Sequence, residues 1–154
     1  MAVATLMAVE RLKVFGIRAK VALLSHSNFG SEDSASSRKM RKVLDLLRER
    51  APELEVEGEM HADAALDATI RDRLFPNSRL KGMANMFVLP NLDAANICFN
   101  MVRVLTGGVS MGPIVMGLKK PCYVLTNSAT VRRVVNMTAL AVVDANLERQ
   151  AALI

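Results

Sequence analysis

The feature that most constrains the fold is an alternation of two apolar periods along the chain. Short apolar runs of strand length are separated by longer stretches in which apolar residues recur at helical spacing. Lys20 to Ser25 (KVALLS), Asn85 to Leu89 (NMFVL) and Pro121 to Leu125 (PCYVL) read as buried strands, and residues 55–60 (EVEGEM) as a half-exposed one. Helices are expected over residues 2–15, ended by Gly16, and over 38–50, followed by Pro52. Further helices are expected over 62–73, over 92–106 before Gly107-Gly108, and from about Ala129 to Leu147. Ser27 to Ser37 and Val109 to Gly117 lack periodicity and read as loops or irregular strand. Such alternation specifies an α/β protein with a largely parallel sheet.

Composition narrows the class. The 154 residues suit one domain. A hydrophobic fraction of 51% against 23% charged supports a real core and excludes a disordered chain. Lys and Arg exceed Asp and Glu by 20 to 15, but aromatics are only 4%, with no Trp and one Tyr. Basicity without stacking platforms argues for no nucleic-acid partner. No apolar run reaches the ~18–20 residues of a membrane span, so no membrane partner is expected. Met1 to Val9 is apolar but lacks the basic start and small-residue cleavage site of a signal peptide. Cys98 and Cys122 form no CxxC pair and are expected to be reduced, small buried residues of a cytoplasmic protein. His26 and His61 are the only histidines and share no metal-ligand spacing, so no metal is expected. Arg38, Lys39, Arg41, Lys42, Arg48 and Arg50 form one helix face, expected to be solvated or else a subunit contact or an anion-attracting rim, and the ten Met residues read as packing.

In open parallel sheets ligands bind beyond the carboxyl ends of strands. Three polar loops leave strand ends here: Ser25 to Ser31, Pro90 to Asp93 and Thr126 to Thr130, each preceding a helix. Ser25-His26-Ser27-Asn28 has no carboxylate placed to orient His26 and no G-x-S-x-G turn, which excludes a hydrolase triad. Dinucleotide and P-loop fingerprints are absent. Arg132 and Arg133 fall in the first turn of a helix, where cations oppose the dipole by about 0.3–1 kcal/mol. They read either as an anion site or as solvated arginines. Gly112-Pro113-Ile114, with Gly117, brings backbone close to a ligand or to another strand.

Several segments together resemble the phosphate acetyl/butyryltransferase (phosphotransacetylase) family. They are VALLSHSNFGS (21–31), EGEMHADAAL (57–66), LKGMANMFVLPNLDAANI (80–97) and GPIVMGLKKPCYVLT (112–126), in the family's order. LSHSNFGS and SATVRRVVNMTALAVVDA (128–145) look closest to the phosphotransacetylase-like C-terminal domain of bacterial NADP-dependent malic enzymes. The resemblance covers roughly residues 10–145 but only the C-terminal half of the family's domain. It implies a three-layer α/β/α fold of the isocitrate/isopropylmalate dehydrogenase type. It also implies one lobe that self-associates as a dimer or higher homo-oligomer, attached to a malic-enzyme catalytic domain in a longer chain.

For the site, the resemblance implies acetyl-CoA or CoA as ligand. Ser27, Asn28 and Gly30 would stand on the ligand side of the first loop, and Gly112, Pro113 and Ile114 would flank the acyl or pantetheine end. Thr126, Asn127 and Ser128 would line the cleft, with Arg132 or Arg133 near a phosphate. Active family members carry a Ser-Arg pair with an Asp seven residues after the Ser. Here those positions read Thr126, Asn127 and Arg133. Losing the guanidinium removes a bidentate phosphate clamp, and Arg133 replaces a candidate base by a cation. The expectation is a catalytically degenerate, regulatory acetyl-CoA-binding module. An active transferase and a purely structural oligomerisation lobe stand as the alternatives.

Overall fold

The structure is a computed structural model, and it describes residues 1–118, 120–127 and 129–151. Two compact units divide the chain, one spanning Met1–Phe99 and the other starting at Asn100. The element order is α1 (Ala2–Val14), β1 (Lys20–Leu24), α2 (Ala35–Arg50), β2 (Glu55–Met60), α3 (Ala62–Leu66), α4 (Ala68–Leu74), β3 (Met86–Val88) and α5 (Leu92–Thr106). β4 (Ile114–Val115), β5 (Cys122–Tyr123) and α6 (Val131–Ala151) follow.

In the first unit three parallel strands pair in the order β2-β1-β3. β1 lies in the middle and must bury both faces, which is why KVALL has no polar alternation. Val21 and Leu23 pack with Met40, Val43, Leu44 and Leu47 of α2 and Ala2 and Val9 of α1. Ala22 and Leu24 pack on the opposite face with Met60, Ala64, Ala65 and Leu80. Helices therefore cover the sheet on both sides, giving the three layers α/β/α.

Local chemistry sets the helix ends. Ser34 caps α2: its hydroxyl accepts from the Ser37 amide (3.1 Å) while its own amide donates to Ser37 Oγ (2.9 Å). The helix thus starts three residues before the expected position. The expected helix over 62–73 is two helices. Asp67 breaks it because its carboxylate accepts the Thr69 amide (2.7 Å) and restarts the chain as the cap of α4. That backbone hydrogen bond holds the Asp67 carboxyl below its ordinary value.

β2 departs most from the expectation. It is not half-exposed: Val56 to Met60 are all buried, Glu57 and Glu59 included. The carboxylates survive burial because donors surround them. Glu57 accepts from the Arg48 guanidinium (2.8 Å) and the Arg79 amide (2.9 Å), and Glu55 accepts from the Lys81 amide (2.6 Å). The face of α2 read as solvated thus carries structural cations. The pairing of β2 with β1 is bulged: Leu23 lies opposite Gly58 and Leu24 opposite Met60, which leaves Glu59 without a partner in β1.

In the second unit β4 and β5 pair antiparallel, Ile114 with Tyr123 and Val115 with Cys122. PCYVL is therefore not a buried strand. Cys122 is exposed and Cys98 half-buried, against the expectation of two buried thiols. Each strand is only two residues long, and Pro121 has no amide to extend the ladder. The Tyr123 hydroxyl donates to the Asp144 carboxylate, joining β5 to α6. Among the methionines, Met40, Met60 and Met137 are buried, while Met83, Met101 and Met111 are exposed.

Gly58 admits no side chain. Its φ is +149°, and a Cβ there would lie 2.7 Å from both Cβ and the carbonyl oxygen of Leu23. Gly58→Ala is expected to destabilise the chain by at least about 2 kcal/mol, measured by urea unfolding.

Candidate functional site

The first unit places the Ser25–Ser31 loop beyond the carboxyl end of β1, where an open parallel sheet receives ligands. Its shape comes from hydrogen bonds to the end of β2. The Ser25 amide donates to the Met60 carbonyl (2.9 Å) and the Phe29 amide to the Glu59 carbonyl (2.7 Å). Ser27 is buried; its hydroxyl donates to Glu59 Oε1 (2.7 Å) and accepts from the Glu32 amide (3.0 Å). The Gly30 amide donates to the same Oε1 (2.9 Å). Asn28 is half-buried, and its Oδ1 accepts from the His61 amide (2.7 Å). The His61 ring lies 2.7 Å from the His26 carbonyl, so its Nε2 carries the proton there.

Two arginines read from the sequence as part of a solvated face complete this cluster. Arg41 of α2 donates to Glu59 Oε1 (3.1 Å) and to Asp33 Oδ1 (2.8 Å). Arg38 donates to Asp33 Oδ2 (2.7 Å). The signals were present in EVEGEM and in the basic stretch 38–50, but nothing in their spacing joins them. The Pro90–Asp93 loop also reaches this unit: Lys39 donates to the Pro90 carbonyl, and Asn91 Oδ1 accepts the Ala94 amide (2.8 Å) at the start of α5.

The second unit brings another set of expected residues together. Thr130 lies just before α6, and its Oγ1 accepts the Arg133 amide (3.2 Å). The Arg133 guanidinium donates to the Gly112 carbonyl, so 112–114 and the start of α6 are joined. Arg133 is half-buried; Arg132 is exposed and unpaired among the described residues. Thr126 and Asn127 are exposed, and the Thr126 carbonyl accepts from the Ala129 amide (2.9 Å). Ser128 lies outside the described residues.

Chemically, the first cluster is a closed network of hydroxyl, amide and guanidinium donors on one carboxylate. The carboxylate nearest a hydroxyl in the first loop, Glu59, is already bonded to a guanidinium and an amide. At the α6 turn the charged groups are cations. Among the described residues no group of three or more His, Cys, Asp or Glu is placed to hold a metal ion. No helix among them is long and apolar enough to cross a membrane.

A three-layer α/β/α domain with serine- and glycine-rich loops at its strand ends marks an open-sheet ligand-binding scaffold that many activities share, and comparison with known proteins specifies the family. The sequence profile described as phosphate acetyl/butaryl transferase matches residues 1–142, and the chain belongs to that family. It is 58% identical to the NADP-dependent malic enzyme of Escherichia coli K12 over 145 residues, 94% of this chain but 19% of that protein. It is 46% identical to a phosphate acetyltransferase of Paracoccus denitrificans, over 79% of this chain and 38% of that one. The fold matches a phosphotransacetylase from Streptococcus pyogenes with a TM-score of 0.86 at 30% identity, covering 97% of this chain and 44% of the other. The chain therefore spans less than half of each of these relatives.

The Arg133 contact separates the two arginines experimentally. Arg133→Ala is expected to speed amide hydrogen exchange at Ile114 and Val115, because the Gly112 turn loses its side-chain donor. Arg132→Ala should leave those amides unchanged.

Proposed function

We propose that this chain is a catalytically degenerate phosphate acyltransferase-type module that binds acetyl-CoA and serves malic-enzyme regulation and dimerisation in the cytoplasm. The observation that carries the reading is the α6 turn. Where the resemblance implies Ser, Arg and Asp, the chain has Thr126, Asn127 and Arg133, and Arg133 is turned onto the Gly112 carbonyl. A turn with Asn127 in place of the arginine of the implied Ser-Arg pair, and with Arg133 in place of the carboxylate, fits ligand retention better than acyl transfer to phosphate. Similarity to malic enzymes over 94% of this chain supports the regulatory role and a malic-enzyme catalytic domain as covalent partner.

Asn28 and Gly30 form one set of proposed ligand contacts, and Ser27, expected among them, is buried and braces their loop from within. Gly112, Pro113, Ile114, Thr126, Asn127 and Ser128 form the other. Arg132 is the better placed of the two arginines for a CoA phosphate, because no acceptor among the described residues competes for it. Self-association is supported by α5, which has no buried residue and exposes Leu92, Ile97, Val104 and Leu105 by 62% or more. Two free thiols suit a reducing compartment.

Thermal-shift titration with acetyl-CoA, CoA and inorganic phosphate tests the reading. A binder gains RT ln(1 + [L]/Kd), about 2.7 kcal/mol at a hundredfold excess over Kd. Acetyl-CoA should raise Tm, and Arg132→Ala should reduce the rise. No shift with any ligand would leave a purely structural oligomerisation lobe. The 46% identity to an acetyltransferase keeps an enzymatic reading in play. Acetyl phosphate formed from acetyl-CoA and phosphate by the folded chain would establish it and overturn degeneracy.

A further inference from the structure

We propose that Glu59 is a positioning residue: a resident carboxylate that fills the concavity of the first loop, fixes Asn28 and Gly30 for the ligand, and restricts that loop to an uncharged part of it. The loop's role rests on the acetyl-CoA reading above; the carboxylate's hold on the loop does not.

The bulge is the first reason. Met60, not Glu59, pairs with Leu24, so Glu59 is the extra residue of β2 and is released from the ladder. Bulges re-aim side chains beside sites. The released carboxylate is buried, and its Oε1 collects the Ser27 hydroxyl (2.7 Å), the Gly30 amide (2.9 Å) and the Arg41 guanidinium (3.1 Å). A hydroxyl, a backbone amide and a guanidinium converging on one point are what a bound anion requires. Here the chain supplies the anion itself.

The loop conformation depends on that supply. Phe29 has a φ of +49° and Gly30 of +88°, two successive left-handed residues, the first with a side chain. Their amides donate to the carbonyl and the carboxylate of the same residue, Glu59. Asn28, between Ser27 and Phe29, has its Oδ1 held by the His61 amide, directly after Met60. Every proposed ligand residue of the loop is thus set by the end of β2.

The same bonds decide what the loop accepts. Ser27 Oγ–H, Gly30 N–H and one arm of Arg41 are committed to Glu59, and the other arm of Arg41 to Asp33, which also holds Arg38. Two carboxylates balance two guanidinium groups. A phosphate arriving here would find no uncommitted donor in this set and a carboxylate in the place it needs. The acyl or pantetheine part of an acyl-CoA meets no such conflict.

Binding and exchange measurements on Glu59→Ala and Glu59→Gln test this. Glu59→Ala is expected to weaken acetyl-CoA binding about tenfold or more, as buried donors lose their acceptor. Glu59→Gln keeps an acceptor oxygen and should lose much less. A cavity of about 260 Å³ beside Glu59, with Phe29, Arg41 and Phe75 among its walls, gives a small carboxylate room to enter. Sodium formate should therefore restore both affinity and Gly30 and Glu32 amide protection in Glu59→Ala, where sodium chloride at equal strength does not. Inorganic phosphate should shift the amide resonances of residues 27–32 in Glu59→Ala but not in the wild type.

Wild-type affinity in Glu59→Ala, absence of formate rescue, or phosphate shifts at the wild-type loop would each overturn the proposal. If Glu59→Ala does not fold, Glu59→Gln and Ser27→Ala decide it: unchanged Gly30 exchange in both overturns it. If the wild type binds no acetyl-CoA, the ligand reading fails on its own. The carboxylate's role is then judged by Gly30 exchange and formate alone.

Discussion

Three carboxylates in one strand govern the first unit. Removing a carboxylate from water costs several kcal/mol after relaxation, and only converging donors offset that. Glu55, Glu57 and Glu59 obtain theirs from different places: the Lys81 amide, Arg48 with the Arg79 amide, and Arg41 with Ser27 and the Gly30 amide. Meeting these demands fixes the side of α2 that carries Arg41 and Arg48, the path of the chain at 79–81, and the fold of the first loop. It also covers β2, an outer strand of the three-stranded sheet, with loops bonded through side chains. A strand so dressed offers little to an incoming chain.

This explains which parts of the fold could be read from the residues. KVALL shows itself as a central strand because its burial needs no partner beyond other apolar groups. The stripe Met40, Val43, Leu44 and Leu47 likewise declares the buried side of α2. EVEGEM misleads because its burial depends on arginines and amides distant in the chain. The rule that alternating Glu means solvent holds only when such donors are missing. The basic face of α2 misleads for the complementary reason. Lys42 and Arg50 fit the solvated reading, whereas Arg41 and Arg48 are the counter-ions of β2. The break at Asp67 was within reach, since Asp followed two residues later by an amide it can accept is a capping pattern, but the apolar period runs straight across it.

Legibility of the site divides in the same way. A candidate location follows from topology, because loops after parallel strands point to the end where such sheets bind ligands. The work of each side chain did not follow. Ser27 reads as a polar loop residue free to meet a ligand, yet its hydroxyl is bonded on both sides within the protein. Arg132 and Arg133 are neighbours with identical chemistry, and only the Gly112 carbonyl distinguishes them. A cation opposed by a helix dipole is relieved by a nearby carbonyl as well as by a phosphate, and sequence carries no sign of which one is present.

The two clusters draw on separate partners. The side-chain bonds of Glu55, Glu57 and Glu59 run to partners between residues 20 and 81, whereas Thr130 and Arg133 bond among residues 112–133. Changes among groups without shared partners add rather than couple. Thr126, Asn127 and Arg133 therefore supply none of the donors that the carboxylates of β2 use. The three-layer scaffold and its first loop can stay intact while the chemistry of the α6 turn drifts. If the α6 turn has lost acyl transfer, as proposed, the first loop still keeps its shape, because the bonds that hold that loop run to β2 and α2 and not to the turn.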